Sequence, residues 1–383
     1  MSPPRPRPAL VVVVAAFGAA FVSSLVLFAD ASIVITPAKV AAPQMPDLVS
    51  ERALCLTRCL MLAANVFATV VKLSKVEDKV IKHQVPWGSK LTPLVRIRIS
   101  GPRWATFFTF QAWTLQFVYL LGASACSLDA IFSLGLPLSN AFATFLWMAY
   151  EVSFSVAILT SFIVKYVLIP TMVKKGSSVA NFFNVEDLLM HNANTLFMAL
   201  ELLFNDLPFI LAHFPLAALF GLVYVLFSWA WLASSGCVWY DFLDPTLPKA
   251  CAIHVALVSV LGVFFAIGVG FAQAASMIAS PLLRVAVVLA GVAAVARTGL
   301  LTGIPQPEHL AASNPWGAAE AAPVTGRRSA RKAPAKPAKA AEAEAAAPDA
   351  KKTPSRRRAA SKSPARKPQT PKPSPPRPKN YLK

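Results

Sequence analysis

The chain has 383 residues, 56% of them apolar and only 14% charged, with a mean hydropathy of +0.55. Several apolar runs reach about 20 residues, the length that crosses a hydrocarbon core, and their helices lack the polar outer face that water requires, which argues against a soluble globular fold. The formal net charge of +19 sits mostly at one end: residues 327 to 383 carry 18 Lys and Arg against three acidic residues, leaving the rest close to neutral.

The first predicted element, residues 9 to 29 (ALVVVVAAFGAAFVSSLVLFA), follows Arg5 and Arg7 in the layout of a signal sequence or signal anchor. Its length favours an uncleaved anchor, with cleavage near LFADAS as the alternative. A second span is predicted over 53 to 72, where Arg58 is expected to reach the headgroups with its long side chain. Further spans are predicted at 104 to 124, 139 to 164, 187 to 204, 209 to 233, 251 to 273 and 281 to 297, eight in all. The expected fold class is all-α, a polytopic membrane helix bundle of about six to eight transmembrane helices with a disordered basic C-terminal tail.

Loop charge gives the orientation, because cytoplasmic loops are enriched in Lys and Arg. The segment from Lys72 to Arg103 has eight basic residues, and Lys174 and Lys175 follow a later span. Both loops fall on the cytoplasmic side if the N-terminus does, and so does the tail. The slightly acidic loop 234 to 250, with Asp241 and Asp244, fits this arrangement less well.

Three regions result: 1 to 100 with anchor spans and a basic cytoplasmic loop, 101 to 300 with the helix bundle, and 301 to 383 rich in Ala, Pro, Lys and Arg. The last region has too little apolar surface to offset its conformational entropy and is expected to stay disordered. Its charge would attract anionic lipid or nucleic acid, and Ser/Thr-Pro sites at Thr353, Ser363, Thr370 and Ser374 would let phosphorylation weaken that attraction. Cys55, Cys59, Cys126, Cys237 and Cys251 are scattered without histidines at zinc spacing, so no disulfide framework, metal site or cofactor is expected.

The stretch LLMHNANTLFMALELLFND, residues 188 to 206, places His191, Asn194, Met198, Glu201 and Asn205 within roughly an 80° arc of one helix face. An ionised glutamate at the bilayer centre costs about 3 kcal/mol, so this stripe is expected to face a polar cavity inside the bundle. A second polar face runs through Thr106, Thr109, Trp113 and Gln116. Such threonines usually bond a carbonyl one turn earlier or pack between helices, and a histidine can simply tie two helices together.

FFTFQAWTLQFVYL resembles the first motif of the androgen-induced gene family of transmembrane threonine hydrolases, and MHNANTLFMALEL resembles the second, a Met-His pair followed ten residues after the His by a glutamate. LFSWAWLASSGCVWYDFLDP, residues 226 to 245, is similar to the third, and LPLSNAFATFLWMAY to the start of the intervening helix. The likeness covers roughly residues 100 to 275. It departs from the family in the preceding 100 or so residues, the final span, the tail, a longer Gly to Trp spacing, and Asp241 where a proline is usual.

The resemblance implies an endoplasmic reticulum hydrolase of fatty acid esters of hydroxy fatty acids, with Thr109 as nucleophile and His191 as general base. Glu201 matches the family's acidic position, for which a structural or electrostatic role is expected. Gln116, Asn192 and Asn194 are expected to support the polar cavity or donate to an oxyanion. The expected partners are membrane lipids and a lipid ester substrate. The alternative is a multi-pass membrane tether without enzymatic activity, whose basic tail binds chromatin or anionic lipid. Transport along Arg58, His191 and Glu201 ranks last, as no repeat or pair of broken helices supports it.

Overall fold

The structure, a computed structural model, describes residues 8–29, 33–84, 91–174, 179–236, 238–245, 247 and 249–296. The chain divides into two units, Met1–Pro323 and Val324–Lys383; the second lies wholly outside the described residues, as do the expected tail 301 to 383, Arg5, Arg7, Lys175 and Cys237.

The chain folds into helices α1 (Pro8–Ala29), α2 (Pro37–Ala41) and α3 (Glu51–Ser74), a hairpin of β1 (Val76–Gln84) and β2 (Leu91–Ser100), then α4 (Phe108–Phe132) and α5 (Asn140–Ile163). A π-helical turn, Val164–Leu168, leads into α6 (Ile169–Lys174). Next come α7 (Val185–Leu188), a second π turn at Leu189–Ala193, α8 (Asn194–Phe204), α9 (Phe214–Ser235), α10 (Ala250–Met277) and α11 (Pro281–Val295). Local chemistry sets several ends. Ser50, Ser139 and Ser280 accept amides at the starts of α3, α5 and α11, and Gly236 closes α9 at φ 72°, a left-handed conformation that favours glycine.

Six helices among the described residues are long and apolar enough to cross a membrane: Leu10–Leu27, Glu51–Ser74, Phe108–Phe132, Asn140–Lys174, Leu211–Ser235 and Ala250–Met277. The protein is an integral membrane helix bundle. Two of the eight expected spans differ. Pro281–Val295 has 15 residues, about 22 Å of helix, short of a hydrocarbon core of about 30 Å. The run over 187 to 204 is not among the six because Asp187, His191, Asn192, Asn194 and Glu201 lower its hydropathy, although it is continuously helical and lies antiparallel to α3, Asp187 meeting Lys72 and Glu201 meeting Arg58.

The expected basic loop between Lys72 and Arg103 is instead largely an antiparallel hairpin, with Val76 opposite Ser100 and Lys79 opposite Ile97. The bundle is therefore accompanied by a small two-stranded sheet. Alternating β-branched residues Val95, Ile97 and Ile99 account for the strand, and Ile99 is fully buried against the bundle.

Arg58 does not reach out to headgroups. Its side chain is 0% exposed and grips Glu201, also 0% exposed, through Nε and Nη2 at 2.9 Å each. Arg58 Nη1 also donates to the Val40 carbonyl and Ser127 Oγ, while Tyr119 and Asn205 donate to Glu201 Oε2 at 2.6 and 2.9 Å. A snorkelling arginine gains water at its head; here Glu201, the Val40 carbonyl and Ser127 replace that water, so burial is tolerated. This network ties α2, α3, α4 and α8 together.

Candidate functional site

A second polar group lies about 21 Å along α3 from Arg58, at Lys72. There the end of α3, the start of α4, the end of α5, the start of the α7 to α8 run and the segment after α9 meet around a cavity of about 360 Å³. Its polar wall includes Lys72, Glu77, Asn181, Asp187 and His191, and its apolar wall includes Phe107, Phe110, Leu168, Met172 and Met190. Thr109 and Tyr240 also line it. The cavity is amphipathic, with charged and polar groups on one wall and apolar side chains on the other.

Both π turns border this cavity. Pro170 lacks the N–H that would bond the Tyr166 carbonyl, which favours the wider turn at 164 to 168 just before Leu168 and Met172. In the second, the Asn194 N–H bonds the Leu189 carbonyl five residues back, and Ser161 Oγ donates to the His191 carbonyl at 2.6 Å. The extra residue in that turn sets the direction of His191 independently of α8.

His191 is 8% exposed and its ring lies 5.7 Å from that of Phe182. Its Nδ1 is 2.8 Å from the Asp187 carbonyl and 3.9 Å from Asp187 Oδ1. A carbonyl can only accept, so Nδ1 is the donor, and in the neutral ring Nε2 then holds the lone pair, the tautomer a general base needs. Lys72 Nζ donates to both Asp187 carboxylate oxygens at 3.0 Å, lies 3.8 Å from Glu77, and sits 4.2 Å from the centre of the Trp104 ring.

Thr109 is half-buried in the first turn of α4, where the helix dipole favours negative charge. Its side chain lies beside the Tyr240 phenol on the cavity wall. Burial pushes that phenol up to about 12, although the Thr109 hydroxyl pulls the other way, so Tyr240 is neutral at physiological pH. Trp239 stacks on Phe107 with ring centres 4.4 Å apart and donates from Nε1 to Thr106 Oγ1 at 2.8 Å, which docks the segment after α9 onto the start of α4. Beside the cavity, burial would raise the Glu186 carboxyl, but its bond from Lys75 prevails and holds it below the ordinary value.

The structure brings Thr109 and His191 to one cavity and leaves the supporting residues elsewhere. Gln116 Nε2 donates to the Asn194 carbonyl at 3.1 Å, and Asn194 Oδ1 accepts from Ser161 Oγ and the Thr195 amide. These are ties between helices, and neither Gln116, Asn192 nor Asn194 lines the cavity. Glu201 is also outside it, because Arg58, Tyr119 and Asn205 occupy its oxygens. The expected stripe is thus divided between two polar centres.

Sequence reasoning missed Lys72, Asp187 and Tyr240. Asp187 was visible as an acid one helical turn before His191; Lys72 had no signal in sequence, since its role depends on how α3 packs. No protein-family model, no curated protein and no solved structure matches this chain.

Proposed function

We propose that this protein is an intramembrane hydrolase of lipid esters, with Thr109 as nucleophile and His191 as general base, of the kind represented by the androgen-induced gene family. The observation that carries this reading is convergence: Phe107, Thr109 and Phe110 from the first motif-like stretch, Met190 and His191 from the second, and Tyr240 from the third line the same cavity. Residues this far apart in the chain have no local reason to meet.

In this mechanism His191 Nε2 takes the Thr109 hydroxyl proton as Oγ attacks the ester carbonyl carbon. The tetrahedral intermediate collapses, its C–O bond to the alcohol breaks, and the imidazolium returns its proton to the departing alkoxide. Water then attacks the acyl-threonine ester, again with His191 as base, releasing the fatty acid and restoring Thr109. Positioned general-base catalysis contributes about 10²- to 10⁴-fold. The apolar wall suits acyl chains arriving from the bilayer, and fatty acid esters of hydroxy fatty acids are the proposed substrates.

The proposal extends to location: the endoplasmic reticulum membrane, ahead of the nuclear envelope, with both termini cytoplasmic. The eight basic residues from Lys72 to Arg103 support that orientation, in which the cavity end of the bundle would face the cytoplasm.

The test is fatty acid release by purified protein in liposomes containing such an ester. Thr109→Ala and His191→Ala should each lose at least about 100-fold of the wild-type rate. Release undiminished in both variants removes the hydrolase reading.

A further inference from the structure

We infer that Asp187, pinned by Lys72, is the positioning residue of His191, and that α3 thereby becomes part of the catalytic apparatus. The inference rests on the hydrolase reading above and adds a third and fourth member to its Thr and His pair.

Asp187 engages His191 in two ways. Its carbonyl accepts from Nδ1 at 2.8 Å, which fixes the ring and its tautomer, while its carboxylate Oδ1 stands 3.9 Å from the same nitrogen. When His191 takes the Thr109 proton it becomes a cation, and a carboxylate at that distance stabilises it without itself accepting the proton. Lys72 determines where the carboxylate points. It holds both oxygens at 3.0 Å, and Trp104 beneath the ammonium confines it from the other side. Lys72 and Asp187 side chains are each 7% exposed, so neither charge is dissolved in bulk water.

Lys72 lies outside the three motif-like stretches, on a helix for which they specify no role. Its charge is part of the site's balance. Facing His191 from the packed elements, among the described residues, are Lys72 of α3, Glu77 of β1, Asp187 on its own helix and Tyr240 after α9. Glu186, next to Asp187, is engaged by Lys75. The π turn after α5 contributes Leu168 and α6 contributes Met172, which carry no charge.

An ordinary interhelical salt bridge and a positioning pair differ in how they act on the imidazole. Removing the Asp187 charge takes a negative group from beside His191 and moves its protonation to lower pH; removing the Lys72 charge leaves Asp187 and Glu77 less compensated and moves it to higher pH.

The experiment measures the rate at which a fluorophosphonate labels the full-length protein in nanodiscs between pH 5 and 9, with Thr109→Ala as reference. Wild-type labelling equal to that reference defeats the hydrolase reading itself. Given labelling that depends on Thr109, Asp187→Asn should be labelled at least about tenfold more slowly at its plateau, with its inflection at lower pH. Lys72→Met should show its inflection at higher pH. Wild-type rates in Asp187→Asn, or inflections that move the same way or not at all, overturn the inference. Should Lys72→Met not accumulate, the double variant Lys72→Met/Asp187→Asn decides: its inflection should return toward wild type, and one that remains at the Asp187→Asn value overturns the inference.

Discussion

Arg58 and Glu201 illustrate what a charge needs in order to lie inside an apolar bundle. Each guanidinium nitrogen has an oxygen; Glu201 Oε1 accepts from Arg58 Nε, and Oε2 accepts from Arg58 Nη2, Tyr119 and Asn205. Glu201→Ala strands a buried guanidinium and should destabilise the protein by about 3–5 kcal/mol, whereas Arg58→Met/Glu201→Leu should recover most of that loss. Unfolding of the solubilised protein in denaturant measures both, and a Glu201→Ala midpoint equal to wild type would contradict the network. Tyr240 gives a prediction in pH. Its folded-state value is about 12, against about 10 for an unfolded tyrosine. Its contribution is therefore complete below pH 10 and is lost as pH rises toward 12, because the unfolded chain gives up its proton first. Tyr240→Phe should flatten the alkaline fall in stability; an unaltered slope would show that Tyr240 is not its source. At this scale the motif-like spacing in the sequence singled out Thr109 and His191, which line one cavity. Sequence reasoning misread Arg58, and it expected a structural or electrostatic role for Glu201 but set it in the wrong polar cluster, because a residue's partner across the bundle is not encoded in its own helical face.

The two π turns show why element boundaries were harder to read than elements. The apolar runs located the long helices, since a segment of about 20 apolar residues has few other options. The turn at Leu189–Ala193 depends on Ser161, a residue of α5, to satisfy the His191 carbonyl, so its cause lies outside the segment it widens. Deleting Leu189 removes the extra residue and should restore regular α-helix while keeping α8 in register. Asp187 and His191 would then be three residues apart, and the hydrogen bond from Nδ1 to the Asp187 carbonyl would break. Ester hydrolysis should fall to the level of His191→Ala with normal accumulation of protein; full activity would show that the π turn does not set the direction of His191. The hairpin was legible in principle from the alternation of Val95, Ile97 and Ile99, but the charge density of that segment gave it the pattern of a loop.

At the scale of the whole molecule, two polar centres lie along one pair of antiparallel segments. The Arg58 and Glu201 network closes one part of the bundle, and the Lys72, Asp187 and His191 group borders the cavity. The first is saturated with protein partners and serves the fold; the second borders the cavity of about 360 Å³ in which the proposed chemistry is set. The exposed Arg98, on the hairpin near the cavity end, reports orientation. In sealed endoplasmic reticulum vesicles with their cytoplasmic face outward, Arg98→Cys should react with an impermeant maleimide before permeabilisation. Reaction only after permeabilisation would reverse the proposed topology. The central claim is that Thr109 attacks an acyl carbonyl with help from His191, and it is tested most directly by mapping the adduct of a fluorophosphonate by peptide mass spectrometry. One phosphonylated peptide is predicted, modified at Thr109 in the wild type and unmodified in His191→Ala. An adduct on another residue, or an equal adduct without His191, would contradict the claim.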